Sequence, residues 1–170
     1  MKRKIPQTIT EPELIKILIV TKNLKHKASF VLGFYQAMRI SEVTNLKPEN
    51  IKKTEHLIEL KQCKGAKDRN IPIVKPLQVS MQTMWFAFKQ VPINLSYRAL
   101  QIAFKKKAKE VLGRDLHFHC LRHSGASWLL NKKKYDVRQV QQFLGHSKLA
   151  TTEIYTHVSP QDLMELEWGE

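Results

Sequence analysis

The chain has 170 residues, enough for one domain with a buried core, and its 42% hydrophobic content excludes a disordered basic tail. Its 29 lysines and arginines against 15 acidic residues give a net charge of +14, which favours a polyanionic partner such as nucleic acid. No apolar stretch is long enough for a transmembrane helix, so we expect no membrane partner. The two cysteines, Cys63 and Cys120, form no metal or disulfide pattern and indicate a reducing compartment, the cytoplasm.

The first third of the chain predicts three helices. Thr10 is placed to cap the first helix, with Glu13 three residues later to complete a capping box. Apolar residues at helical spacing predict a second helix over about residues 27–36. Ser41 is expected to cap a short third helix that stops before Pro48, because a residue that precedes proline disfavours the helical conformation.

The middle of the chain predicts a small sheet, and the remainder is helical. Apolar and polar residues alternate at 56–60 and at 69–74, which indicates antiparallel strands joined by a Lys-rich hairpin. Beyond residue 75 we expect helices over 77–88, 97–112, 119–131, 136–144 and 150–155, and then an amphipathic C-terminal segment. The predicted fold class is therefore mainly α with a small antiparallel three-stranded β-sheet, an α+β domain.

Histidines and an arginine gather in the stretch "LHFHCLRHSGASWLL". His117, His119 and His123 could suggest a metal ion, but no carboxylate or cysteine lies at a suitable helical offset, so we expect no metal. His119 and Arg122 are three residues apart at the start of a helix and therefore share one face. Guanidinium beside imidazole suits a phosphodiester, because the arginine can hold two nonbridging oxygens while the histidine exchanges a proton.

Two further candidates are ambiguous when each is taken alone. Arg39 lies at a helix–helix junction, and Glu42 either closes that junction as an ion pair or holds the guanidinium rigid toward a ligand. Tyr155 lies nine residues after His146, and a tyrosine there is most simply a half-buried packing residue.

Together these stretches form a recognisable set. The chain contains, in order, "MRISEV" with Arg39 and Glu42, "CKGAKDRNIPI" with Lys64, "HCLR" with His119 and Arg122, "FLGH" with His146, and "TTEIYTHV" with Tyr155. The set resembles the catalytic domain of the tyrosine recombinases, the phage integrase family, over nearly the whole chain from about Thr10. Cys63 and Ala37 depart from the family pattern, because glycine is common at both positions.

The resemblance implies a covalent mechanism. Tyr155 would attack the scissile phosphate in line, form a 3′-phosphotyrosyl link and release a 5′-hydroxyl, which Lys64 would protonate. Neither ATP, a metal ion nor any other cofactor is required, because the covalent link keeps the energy of the phosphodiester.

The resemblance also assigns roles to the remaining residues of the set. Arg39 and Arg122 would clamp the nonbridging oxygens, and Glu42 would hold Arg39. His119 would exchange a proton with the tyrosine, and His146 would hydrogen-bond the phosphate.

The same resemblance implies a domain organisation and partners. We expect a single catalytic domain over residues 1–170, with residues 1–9 as a flexible lead-in and no separate N-terminal core-binding domain. The chain would be either a fragment or a naturally short member. The tail, residues 159–170, would dock on its own domain or on a neighbouring subunit. The partner would be double-stranded DNA in the nucleoid, with a free monomer assembling into dimers or tetramers on it.

Basic side chains outside the set could contact DNA phosphates, which position a protein without specifying sequence. The candidates are Lys67, Arg69, Lys105, Lys106, Lys132 and Lys133. Three rival functions stay open: a type IB-like DNA topoisomerase, a catalytically weak or inactive DNA-binding module, and a metal-dependent nuclease. Substitution of Tyr155 by Phe would leave the activity of the DNA-binding module untouched, and a chelator would inhibit the nuclease.

Overall fold

The computed structural model describes residues 7–61, 68–145, 164 and 166–168. The helices over these residues are α1 (Glu11–Val20), α2 (Leu24–Tyr35), α3 (Ile40–Asn45), α4 (Gln82–Lys89), α5 (Tyr97–Leu112), α6 (His119–Asn131) and α7 (Val137–Leu144). The strands are β1 (Ile51–Lys52), β2 (Leu57–Leu60) and β3 (Arg69–Pro72). They form an antiparallel sheet of order β1-β2-β3, so the predicted fold class is confirmed.

Local sequence signals explain most helix ends. The predicted capping box is present, since Thr10 accepts from the Glu13 backbone and Glu13 Oε2 accepts from Thr10 N at 2.7 Å. The second helix begins earlier than predicted, at Leu24, because the Asn23 side chain accepts the amide hydrogen of His26 at 3.0 Å.

Two predictions of helix starts were wrong. Ser41 lies inside α3, and the carboxylate of Glu42 serves as the cap instead, by accepting the Arg39 amide hydrogen at 2.7 Å. The helix predicted over 77–88 begins only at Gln82, because residues 77–79 form a bend in which the backbone of Gln78 donates to the side chain of Glu11 at 3.1 Å.

The core is centred on α2. Every residue from Ala28 to Tyr35 is buried, and the helix packs against α4, α5 and α6. The α6 helix crosses it closely at Gly125, where an added Cβ would lie 2.1 Å from the carbonyl oxygen of Phe34. A glycine is therefore required at this crossing, which sets the position of the side chains that α6 carries at its start.

The described part of the C-terminal tail packs on its own domain. Glu167 is buried and accepts hydrogen bonds from Lys133 Nζ at 2.7 Å and from the Tyr135 hydroxyl at 3.0 Å. Trp168 donates its indole N–H to the Ile73 carbonyl at 2.8 Å. Exchange of the tail with a neighbouring subunit stays a prediction. Over the described residues, no helix is long and apolar enough to cross a bilayer.

Candidate active site

Arg122 lies at the centre of the candidate site, at the point where three elements meet. Its side chain is 4% exposed and donates to the carbonyl of Ala37 at 2.7 Å and to the carbonyl of Leu144 at 2.7 Å. The guanidinium therefore joins the start of α6 to the junction before α3 and to the end of α7. Burial and the charge of Arg39 lower the pKa of Arg122 to about 10, so it stays charged at neutral pH.

The Arg39–Glu42 pair both closes the helix junction and holds the Arg39 guanidinium in place for a ligand. Glu42 is 5% exposed, and its Oε1 accepts from Arg39 Nη1 at 2.9 Å, so the pair closes the junction between α2 and α3. The Arg39 side chain nevertheless keeps 33% of its surface exposed, so its guanidinium is both fixed and open to a ligand.

Arg69 joins this cluster, although the sequence analysis placed it among the phosphate contacts. It donates to both oxygens of Glu42, at 2.7 and 3.3 Å, and through Nε to the Phe143 carbonyl at 3.0 Å. Its side chain is only 7% exposed. The alternation of side chains along β3 could have predicted this burial, because Arg69 lies on the same face of the strand as the buried Ile71.

The cluster carries an excess of positive charge. Glu42 lies 2.9 Å from Arg39, 2.7 Å from Arg69 and 3.6 Å from Arg122. Burial opposes ionisation of Glu42, but hydrogen bonds and charge, led by those of Arg69, outweigh it and hold the pKa below its ordinary value. Three guanidinium charges less one carboxylate charge leave two positive charges, which suits a phosphodiester whose transition state gains negative charge.

His119 lies one helical turn before Arg122, as predicted. Its ring meets that of His123 edge to face, with 4.5 Å between the centroids. Burial, then the neighbouring His123 and the charge of Arg122, lower the pKa of His119, so the imidazole is neutral at neutral pH and can accept a proton. Among the described residues, no three histidine, cysteine or carboxylate side chains come together as a metal site.

The turn into α6 is fixed by a residue that the sequence analysis missed. The Phe118 backbone donates to Gln101 Oε1 at 3.2 Å, and Gln101 Nε2 lies 3.0 Å from His117 Nδ1. Because a backbone N–H can only donate, the amide of Gln101 is oriented with its NH2 group toward His117. Gln101 therefore holds the segment that leads directly into His119.

The end of α7 brings Leu144 and Gly145 against this cluster. Gly145 ends the helix with φ of 64°, and an added Cβ would lie 2.6 Å from Arg69 Cδ. A glycine is therefore needed here for both conformation and space. His146 follows directly and lies outside the described residues, as do Lys64, Lys67 and Tyr155.

The remaining basic candidates divide into two kinds. Lys106 and Lys132 are exposed, and Lys105 is 49% exposed with a carboxylate of Asp115 at 3.2 Å. Lys133 is 14% exposed and forms an ion pair with Glu167, so it holds the tail and is poorly placed to reach a phosphate.

Comparison with known proteins agrees with this arrangement. The sequence profile of the phage integrase family matches residues 7–162. The chain belongs to the phage integrase family. Ala37 has φ of 45°, in the left-handed region that favours glycine.

Individual relatives extend the comparison. Tyrosine recombinase XerA of Pyrococcus horikoshii is 34% identical over 175 residues, covering 96% of this chain and 61% of that protein. The chain thus spans about three fifths of that relative's length. The fold of this integrase-family chain is similar to the integrase of mycobacterium phage Brujita, with a TM-score of 0.76 and 22% identity over 98% of this chain and 58% of that one. A lambda integrase tetramer bound to a Holliday junction has the same fold, with a TM-score of 0.69 and 18% identity over 91% of this chain and 51% of that one.

Proposed function

We propose that the chain is the catalytic domain of a site-specific DNA recombinase that cleaves and rejoins strands through a 3′-phosphotyrosyl intermediate. The observation that carries the proposal is the cluster in which Arg39, Arg69 and Arg122 surround the buried Glu42. Because this cluster has a net positive charge and lies beside a neutral His119, it combines phosphate binding with a proton acceptor.

The described residues supply the electrostatic part of the reaction. Arg122 uses one N–H of each terminal nitrogen on carbonyls, so its remaining donors can bind a nonbridging oxygen. Arg39, which is fixed by Glu42 and partly exposed, would bind the other nonbridging oxygen. Both guanidiniums bind most strongly in the transition state, because the phosphorus there is bonded to five oxygens and the group carries an extra negative charge.

The covalent step is assigned to residues of the family set. The phenol oxygen of Tyr155 bonds to phosphorus as its proton passes to His119, and the bond from phosphorus to the 5′-oxygen breaks. Lys64 gives that leaving oxygen a proton, and His146 hydrogen-bonds the phosphate. The reverse attack by a 5′-hydroxyl of another strand restores the phenol and exchanges strands, with no ATP or metal consumed.

Double-stranded DNA is the proposed partner, and Lys105, Lys106 and Lys132 are exposed lysines that could follow its phosphates. Assembly into dimers or tetramers on DNA is supported by the lambda integrase, whose structure is a tetramer bound to a Holliday junction. We place this activity in the cytoplasm, on nucleoid DNA. The relatives are a recombinase and integrases, which favours recombination over topoisomerase activity.

The test is covalent trapping on nicked half-site DNA taken from the chain's own genetic neighbourhood. A protein–DNA adduct that survives denaturing electrophoresis and forms equally with and without EDTA is expected. Tyr155→Phe should abolish the adduct, and Tyr97→Phe, at a tyrosine that is 59% exposed, should not. Salt-sensitive binding without an adduct would overturn the proposal in favour of a binding module, and an adduct or nick that needs metal would favour a nuclease.

A further inference from the structure

Beside Arg39, which donates to Glu42 through its backbone and its side chain, two buried guanidiniums face the carboxylate at different distances. Arg69 donates to Oε1 at 2.7 Å and to Oε2 at 3.3 Å. Arg122 lies 3.6 Å from Oε2, beyond hydrogen-bonding distance. Both arginines are almost completely buried, so neither is drawn away by water. Arg69 therefore holds hydrogen bonds of the carboxylate, whereas Arg122 keeps only the longer ion pair of 3.6 Å.

Arg122 is held instead by neutral groups. Its two terminal nitrogens donate to the carbonyls of Ala37 and Leu144, each at 2.7 Å. Carbonyls orient a guanidinium without neutralising it, whereas a bidentate carboxylate would cancel its charge and occupy its planar donor pair. Within the described part of the chain, Arg122 thus makes no hydrogen bond to a carboxylate, and it has donors beyond those that the two carbonyls accept.

Arg69 also fixes the end of α7. The carbonyls of Phe143 and Leu144 belong to the last turn, where no intrahelical donor remains for them. Arg69 Nε donates to the Phe143 carbonyl at 3.0 Å, and Arg122 donates to the Leu144 carbonyl at 2.7 Å. Gly145 leaves the space that the Arg69 side chain fills. One side chain therefore connects β3, the Glu42 carboxylate and the helix that precedes His146.

We propose that Arg69 is a positioning residue that holds Glu42 away from Arg122, so that Arg122 remains available to the DNA phosphate. This inference rests on the proposed function. Without Arg69, the Glu42 carboxylate keeps its two hydrogen bonds from Arg39 and loses the two from Arg69, so it can close the 3.6 Å gap to Arg122 and pair with it fully. The reaction rate should then fall mainly for substrates whose scissile phosphate is charged and is bound by Arg122.

The experiment compares two substrates, one with a normal scissile phosphate and one with a neutral methylphosphonate at that position. Single-turnover adduct formation is measured at saturating DNA for the wild type, Arg69→Ala and Arg69→Lys. Arg114→Ala is the matched control, because Arg114 also contacts a carbonyl, that of Thr8 at 3.0 Å, and a carboxylate, that of Glu13 at 3.7 Å, but not Glu42.

Arg69→Ala should lower the rate on the phosphate by about 100-fold, the loss typical of a misplaced catalytic group, and the rate on the methylphosphonate by less than about tenfold. Arg69→Lys should fall between, because an ammonium can pair with Glu42 but cannot reproduce the planar fork. Equal losses on both substrates, or none, would overturn the inference, as would the same substrate preference in Arg114→Ala.

Failure of the proposed function gives a different result. If the wild type forms no adduct on either substrate, the proposed function fails, and the substrate preference is then measured from the two dissociation constants. A wild type that binds the phosphate more tightly than the methylphosphonate, with that preference lost in Arg69→Ala, would still support the role of Arg69. A preference unchanged by Arg69→Ala would contradict it.

Discussion

Replacement of Glu42 by Gln is the most informative perturbation of the cluster, because it removes one charge with almost no change of shape. The Glu42 side chain is 5% exposed, and its two oxygens accept from Arg39 and Arg69 at 2.7 to 3.3 Å. The amide of Gln would present an NH2 group to one of these guanidiniums, and three positive charges would be left without a counter-charge.

The size of the expected stability loss follows from the burial of the charged cluster. Removal of one partner from a buried charge network costs about 3 to 5 kcal/mol of unfolding free energy, since the remaining charges stay buried and unpaired. For a chain of this length that corresponds to a melting temperature lower by roughly 6 to 20 °C. Urea unfolding at pH 7 is the assay, and Glu59→Gln is the control. Glu59 is 36% exposed and 3.9 Å from Lys52, so its loss should cost at most about 1 kcal/mol.

The stability of Glu42→Gln should also depend on pH differently from that of the wild type. The pKa of Glu42 in the folded protein lies below its pKa in the unfolded chain. The stabilisation that ionised Glu42 gives is therefore complete above the unfolded pKa and is lost as pH falls through the folded pKa. The wild type should therefore lose more stability than Glu42→Gln on acidification below about pH 4.3. A cost at pH 7 no larger than that of Glu59→Gln would refute the account of the cluster.

Three further predictions test the helix that carries His119. Gly125→Ala should destabilise the fold by about 1 to 3 kcal/mol or more in urea, because its Cβ would lie 2.1 Å from the Phe34 carbonyl. An unfolding free energy unchanged from that of the wild type would contradict the close crossing. Single-turnover cleavage should stay constant from pH 8 to about 6.5 and fall only below that, because the pKa of His119 is lowered and its neutral form accepts the proton. A rate that rises on acidification would contradict that role, and His119→Gln should lack the acid limb. The protein should also lose stability as pH falls below about 6.5, where the unfolded histidine binds its proton first.

Much of the fold was predictable because its signals are local. The capping box at Thr10 and Glu13 involves residues three apart, and the helices over 97–112 and 119–131 match α5 and α6. The alternation at 56–60 and 69–74 gave β2 and β3 with errors of one or two residues.

The partners of the buried charged side chains were missed because they lie far away in the chain. Arg69 was predicted to contact a DNA phosphate, because its partner, Glu42, lies 27 positions earlier and no local pattern joins the two. Lys133 likewise read as a surface charge, although it pairs with Glu167, 34 positions later. A charged side chain is assigned to solvent unless its partner is near in sequence, so buried ion pairs across the fold escape this kind of prediction.

The most direct test of the central claim is the chemical identity of the covalent link. The trapped adduct would be digested with protease and nuclease, and the nucleotide-bearing peptide would be sequenced by mass spectrometry. We expect a peptide that carries Tyr155 joined through phosphate to the 3′-oxygen of the cleaved strand, with a free 5′-hydroxyl on the released strand. A link to any other side chain, or to the 5′ end, would contradict the account.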